Sequence, residues 1–300
     1  MPLETTIAPR PPYSLALSAR MRSDTTRRLR EGVLTVALEA GDHAALARVH
    51  QRPDGTLAVR IEGERPEAAL TKLRFVLAVD DDHEPFLRRF VDDPLIGRAV
   101  RRLRGLRPLR TATVTHALLK AVCGQLIQAR AARDLEARLL RRSATPCGDL
   151  LLPPTRATFG GSSPSHLARE GLVSRKANAL VRLSREWDVE RLHGVETQAA
   201  VARIERERGL GPWSAGVVCL QGLGRYEHGL VGDLGLIKLC SALLGRRAEA
   251  EDTRRLLEPY GEWAGLASVY LLARAGRDWR NVARRRGAMV VPRQGRRERS

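Results

Sequence analysis

Three hundred residues make room for about two domains, because single cores rarely keep growing past roughly 250 residues. A chain that is 43% hydrophobic and 29% charged is not collagen-like, coiled-coil or wholly disordered, and no apolar run approaches the roughly 20 residues a membrane span needs. The formal charge is +18 at pH 7, and the surplus of positive over negative side chains points to a polyanionic partner, with nucleic acid the leading one.

The start, MPLETTIAPRPPY, lacks the basic and apolar regions of a signal peptide, which predicts a cytoplasmic chain. The runs 32–40 (GVLTVALEA) and 56–63 (TLAVRIEG) alternate apolar and polar residues, and Pro53-Asp54-Gly55 marks a turn before the second. A helix is predicted from Pro66 to about Leu77, with proline in the first turn where its missing N–H costs nothing. Asp80-Asp81-Asp82-His83 reads as a loop with a helix cap, not as a metal cluster. The expectation for residues 1–110 is a mixed α/β unit with a small antiparallel sheet.

From Thr113 the period becomes helical. Residues 116–140 read as one long helix with Leu119, Val122, Leu126 and Ile127 on its apolar stripe. Residues 145–165, rich in Gly, Pro and Ser, read as a loop, and shorter helices are predicted over 175–187, 197–208, 213–222, 234–244, 252–258 and 262–275. The overall expectation is an α+β protein: the first unit, an all-helical unit over 111–283, and a basic, disordered tail over 284–300. The four cysteines, Cys123, Cys147, Cys219 and Cys240, form no CxxC pair, which argues against a zinc ribbon or a cluster with closely spaced cysteines and predicts reduced thiols. His116, Ser162, Ser163 and Ser214 have no spacing that makes a nucleophilic triad.

The densest chemistry lies between Ile204 and Leu239. There a helix ends at Gly209-Leu210-Gly211 and another starts at Pro212-Trp213-Ser214. Two glycines allow a tight turn, Leu210 can plug the corner, and the free amides of the next helix can hold a phosphate without reading sequence. An ordinary packing corner fits GxG equally well. About twenty positions on, Gly232-Asp233-Leu234-Gly235 introduces another helix. Asp233 can cap that helix, or its carboxylate can stabilise positive charge on a sugar whose glycosidic bond is breaking.

GLGPWSA (209–215) followed by GDLGLIK (232–238) resembles the helix-hairpin-helix DNA glycosylases, and within them the 3-methyladenine DNA glycosylase II group. LLKAVCGQLIQARAA (118–132) and 167–187 extend the likeness, and the first unit is similar to that group's accessory α/β domain. The resemblance implies a monofunctional glycosylase of base excision repair that flips out alkylated purines and removes them hydrolytically from double-stranded DNA, acting as a monomer. It makes Asp233 the catalytic carboxylate, Trp213 a base-pocket aromatic, Leu126 the wedge with Gln125 beside it, and Gly209, Leu210, Gly211 and Ser214 the phosphate grip; Tyr226, with His228, stands in a loop before Asp233 that can approach the pocket. It implies no metal or organic cofactor, and leaves room for a monovalent cation on the hairpin carbonyls.

Strand-cutting members of the superfamily carry a lysine in the hairpin where this chain has Trp213, and only Lys72, Lys120, Lys176 and Lys238 occur in the whole sequence. An abasic site is therefore the expected product. Ala264 and Leu272 stand where related enzymes often carry arginine and an aromatic residue, so the preferred base stays open. The alternatives are the same fold acting on oxidised or mismatched bases, and a non-catalytic helix-hairpin-helix DNA-binding protein.

Overall fold

Alternating apolar and polar residues build one antiparallel sheet from the first fifth of the chain, in a computed structural model that describes residues 1–20, 24–125 and 127–273. After β1 (Leu3–Ile7) and a single helical turn, α1 (Leu15–Ala19), come β2 (Arg27–Arg30), β3 (Val33–Ala40), β4 (His43–Gln51) and β5 (Leu57–Gly63). Their spatial order is β1-β5-β4-β3-β2. The hairpin β3–β4 pairs Ala40 with His43 across a two-residue loop, where Gly41 takes φ +67°. Two of the five strands were legible as alternation; the edges β1 and β2 are too short and too polar to show it.

Leu34, Val36, Leu38, Val49, Val59 and Ile61 point to one face, where Leu73, Val76 and Leu77 of α2 (Pro66–Leu77) cover them. This core closes with Leu109 and excludes the segment between. Helices α3 (Glu84–Phe90) and α4 (Gly97–Arg102) instead send Phe86, Phe90, Ile96 and Val100 into a second, helical core. Within the stretch expected as the first unit, residues 84–102 thus pack into the helical core while 1–79 and Leu109 build the core under the sheet.

The second core is built around α5 (Val114–Gly124), buried on nearly every side. The long helix expected over 116–140 is broken: α5 stops at Gly124, Gln125 and Gln128 take extended backbone, and α6 (Ala129–Ser143) starts afresh. Ile127 consequently leaves the buried stripe. Residues 145–165 are more ordered than their composition suggests, forming a ribbon of β6 (Pro146–Cys147) and β7 (Leu150–Leu151) and the helix α7 (Arg156–Gly160). There follow α8 (Pro164–Arg169), α9 (Ser174–Glu186), a 3-10 turn (Val189–Gly194), α10 (Thr197–Glu205), α11 (Pro212–Val217) running into a π turn (Val218–Leu223), α12 (Leu234–Leu244) and α13 (Ala250–Leu257). A last 3-10 turn (Glu258–Trp263) leads into helix over 264–273. Among the described residues no helix is long and apolar enough to cross a membrane. The tail expected over 284–300 lies outside the described residues.

All four cysteines are free thiols. Burial pushes Cys123 and Cys219 up to about 12 and Cys240 up to about 11, so these behave as small hydrophobes and not as nucleophiles.

Candidate active site

Asp233 caps α12. Its Oδ1 accepts from the amides of Gly235 (2.7 Å) and Leu236 (3.3 Å), the ordinary work of an N-cap aspartate. Its Oδ2 accepts from the indole Nε1 of Trp213 at 3.1 Å. Its backbone is pinned as well: the Asp233 amide bonds Leu230 O at 3.0 Å, and the Gly232 amide bonds Thr253 Oγ1 at 2.8 Å. Three donors thus fix one half-buried carboxylate at the edge of a cleft of about 840 Å³.

Trp213 lines the same cleft and rests on Gly124, where a Cβ would come within 2.6 Å of the indole Cη2. The glycine that ends α5 is therefore the seat of the ring that holds Asp233. Arg175 and Lys238 also line the cleft. Both are exposed, and neither makes an ion pair among the described residues, so their charges are available to an anion.

The hairpin joins α10 to α11. Gly209 needs its left-handed φ of +95°, whereas Gly211 is extended. A Cβ on either would meet open space, so nothing inside the protein requires a bare backbone at Gly211. Close approach by something outside would. No side chain caps α11, and Pro212 occupies its first turn. Leu210, 6% exposed, plugs the corner as expected. The carbonyls of Glu207 and Gly209 already accept from the Leu210 amide and from Gln125 Nε2, so a cation at these carbonyls would share them with donors.

Several expected site residues lie elsewhere or act differently. Ser214 lines the cleft but is only 1% exposed, and its Oγ accepts from Gln125 Nε2 at 3.0 Å, so its hydroxyl works inside the protein and only the backbone amides of this turn remain to meet an anion. Tyr226 does not line the cleft: its hydroxyl donates to Asp81, and its ring stacks on Trp263. Burial pushes its phenol well up from the usual range, so it is a neutral strut between the two cores. Gln125 reaches the hairpin, donating to Gly209 O at 2.6 Å as well as to Ser214. Leu126, the expected wedge, lies outside the described residues.

The sequence reading missed Gly124, Arg175, Lys176 and Lys238. Two cations in the first turn of α9 oppose the positive end of a helix dipole, and that local conflict was the available signal for Arg175 and Lys176. Lys176 Nζ donates to Gln125 O at 3.0 Å.

No family model matches the chain. It is 26% identical over 208 residues, 68% of its length, to a probable bifunctional transcriptional activator/DNA repair enzyme AlkA of Mycobacterium tuberculosis. The match covers 42% of that protein, so the chain spans less than half the length of this relative. It is 21% identical over 280 residues to the DNA-3-methyladenine glycosylase of Bacillus subtilis, covering 86% of this chain and 91% of the relative. The solved 3-methyladenine DNA glycosylase of Archaeoglobus fulgidus superposes with a TM-score of 0.79 at 22% identity, covering 90% of this chain and 97% of that one. The resemblance carried by GLGPWSA and GDLGLIK is borne out, and the chain has the fold of the helix-hairpin-helix DNA glycosylase superfamily.

Proposed function

We propose that this chain is a monofunctional DNA glycosylase that excises alkylated purines from double-stranded DNA and leaves an abasic site. The observation that carries the reading is the carboxylate of Asp233, fixed by three donors at a cleft edge beside a hairpin with a bare glycine and two unpaired cations. The names of the relatives favour alkylated over oxidised bases as substrate.

A stacked base hides its glycosidic bond, so the nucleotide must leave the duplex at a cost of a few kcal/mol, less at a damaged pair. Phosphate contacts at the hairpin, with Arg175 and Lys238 nearby, and insertion of Leu126 would offset that cost. Ring alkylation makes the base cationic, hence a good leaving group and a partner for the face of Trp213. Asp233 then faces the anomeric carbon as it becomes positive, stabilising the oxocarbenium-like sugar and orienting the water that replaces the base. The reaction needs no metal or organic cofactor, and a monovalent cation on the hairpin carbonyls belongs to the reading only as support for the phosphate grip. The chain acts as a monomer in the cytoplasm, on the nucleoid.

Strand cleavage by a Schiff base requires a free amine at the sugar. Two lysines line the cleft: the Lys120 ammonium is held between Asp24 (3.1 Å) and Glu136 (2.7 Å), and Lys238 lies on α12 and serves the DNA backbone. The hairpin position itself is Trp213, so the monofunctional reading rests on the hairpin.

Incubation of alkylated duplex with wild type and Asp233→Asn tests the reading. Wild type should release free 3-methyladenine, and the variant should be slower by about 100-fold or more while still binding duplex. Equal release by both would remove Asp233 from the mechanism, and a borohydride-trapped adduct would overturn the monofunctional assignment. Binding without any base release would favour the non-catalytic alternative.

A further inference from the structure

We infer that Gln125 is a positioning residue that couples the phosphate-holding hairpin to the segment inserted into DNA. This rests on the proposed glycosylase reading for its consequence, though the coupling itself is a property of the free protein. The Gln125 carboxamide nitrogen has two protons, and both are directed at the hairpin: Gly209 O lies at 2.6 Å and Ser214 Oγ at 3.0 Å. A carbonyl can only accept, so the nitrogen, not the oxygen, must face Gly209. One side chain therefore staples the two ends of the hairpin, the glycine with φ +95° and the first turn of α11.

The other end of Gln125 is tied too. Its own carbonyl accepts from Lys176 Nζ at 3.0 Å, on the first turn of α9. Its backbone is extended (φ −62°, ψ 122°), which ends α5, and Gln125, Ile127, Gln128 and Ala129 line the cleft. Beside it, Gly124 carries the indole of Trp213. Three elements that would meet DNA separately, the hairpin, the α5–α6 connection and the start of α9, are joined at one residue. A phosphate held at the hairpin therefore fixes the connection that carries Leu126, so gripping the backbone and filling the vacated stack become one event.

The chemistry requires glutamine. Asparagine is one methylene short of bridging both acceptors. Glutamate keeps the shape but has no proton to donate, and it sets a charge against the Gly209 carbonyl.

The test uses the full chain as wild type, Gln125→Glu and Gln125→Ala, each checked for an unchanged melting transition. Hydrogen exchange of the amides of 209–211, 213 and 214 without DNA should be faster by about tenfold in both variants, the worth of one or two lost hydrogen bonds. With duplex carrying 2-aminopurine beside the lesion, the fluorescence rise that reports unstacking should fall by about tenfold, together with single-turnover excision, while affinity for undamaged duplex stays within about threefold. Unchanged hairpin exchange in both variants would overturn the staple. Faster exchange with wild-type unstacking would overturn the coupling. Should wild type excise no alkylated base, the glycosylase reading fails, and exchange and unstacking still decide the coupling. Should one variant fail to fold, the other carries the same readouts, since alanine removes the amide without adding charge.

Discussion

The indole of Trp213 fills space that Gly124 leaves open, and the same ring donates to Asp233. This short chain of contacts gives a prediction in which stability and activity part. Gly124→Ala suits a helix end intrinsically, but its Cβ would lie 2.6 Å from Cη2 and 3.5 Å from Cζ2 and Cζ3, so the ring must shift. Overpacking of this kind costs about 1–3 kcal/mol, and under the proposed function moving the donor off Asp233 should slow excision by about tenfold or more. A melting curve and a single-turnover rate on alkylated duplex check this, and wild-type kinetics in the variant would refute it. The capping place of Asp233 was legible in GDLGLIK, because an aspartate just before a helix offers its carboxylate to the first free amides. The seat at Gly124 was not legible, because its partner is far away in sequence. Tyr226 shows the opposite error: its place in a loop before Asp233 suggested the pocket, whereas its hydroxyl satisfies the carboxylate of Asp81 beside Arg110.

Helices were easier to foresee than their interruptions. The period of 234–244 matches α12 from end to end. The break between α5 and α6 is set by tertiary bonds, those of Gln125, which no local period reports. The π turn after α11 has a similar origin: the Thr111 amide (2.7 Å) and Oγ1 (3.0 Å) both bond Gln221 O, drawing that carbonyl out of the regular helical ladder. The sheet unit and the helical unit meet in another such contact, where Lys120 of α5 bridges Asp24, ahead of β2, and Glu136 of α6. Burial raises Glu136, but Lys120 and His116 more than offset this, and its carboxyl stays below the usual range. Lys120→Met should therefore cost about 3 kcal/mol, because it removes the shared cation of two buried carboxylates and leaves Glu136 with only His116 and Asp24 with Arg27 and Thr26. Adding Glu136→Gln should recover part of the loss. Urea melts of wild type, single and double variants measure it, and a neutral single variant would refute the bridge.

Between the two cores lies a polar seam whose titration sets how the whole molecule responds to acid. Arg107, 1% exposed, bonds Arg10 O at 2.9 Å, and Arg110 bonds Gly224 O at 3.2 Å, so each guanidinium is fixed across the seam. His83 sits there edge-on to Tyr226 and Trp263 and is 1% exposed. Burial, with the nearby charges of Arg107 and Arg110, pushes it from 6.5 down to about 2. Burial also lowers His116, His193 and His228. The sign is common to all four: the unfolded chain binds these protons near pH 6.5 and the native state refuses them. Their contribution is complete above that pH and is lost as pH falls towards the native values. For His83 alone the loss between pH 7 and pH 5 is about 2 kcal/mol, or about 5 °C in melting temperature for a chain of this size. Calorimetric melts from pH 7 to pH 5 should fall steadily, and His83→Gln should melt lower at pH 7 yet lose less on acidification than wild type. Parallel slopes for the two proteins would mean that His83 takes up its proton without unfolding, and that the seam opens to water while both cores stay intact.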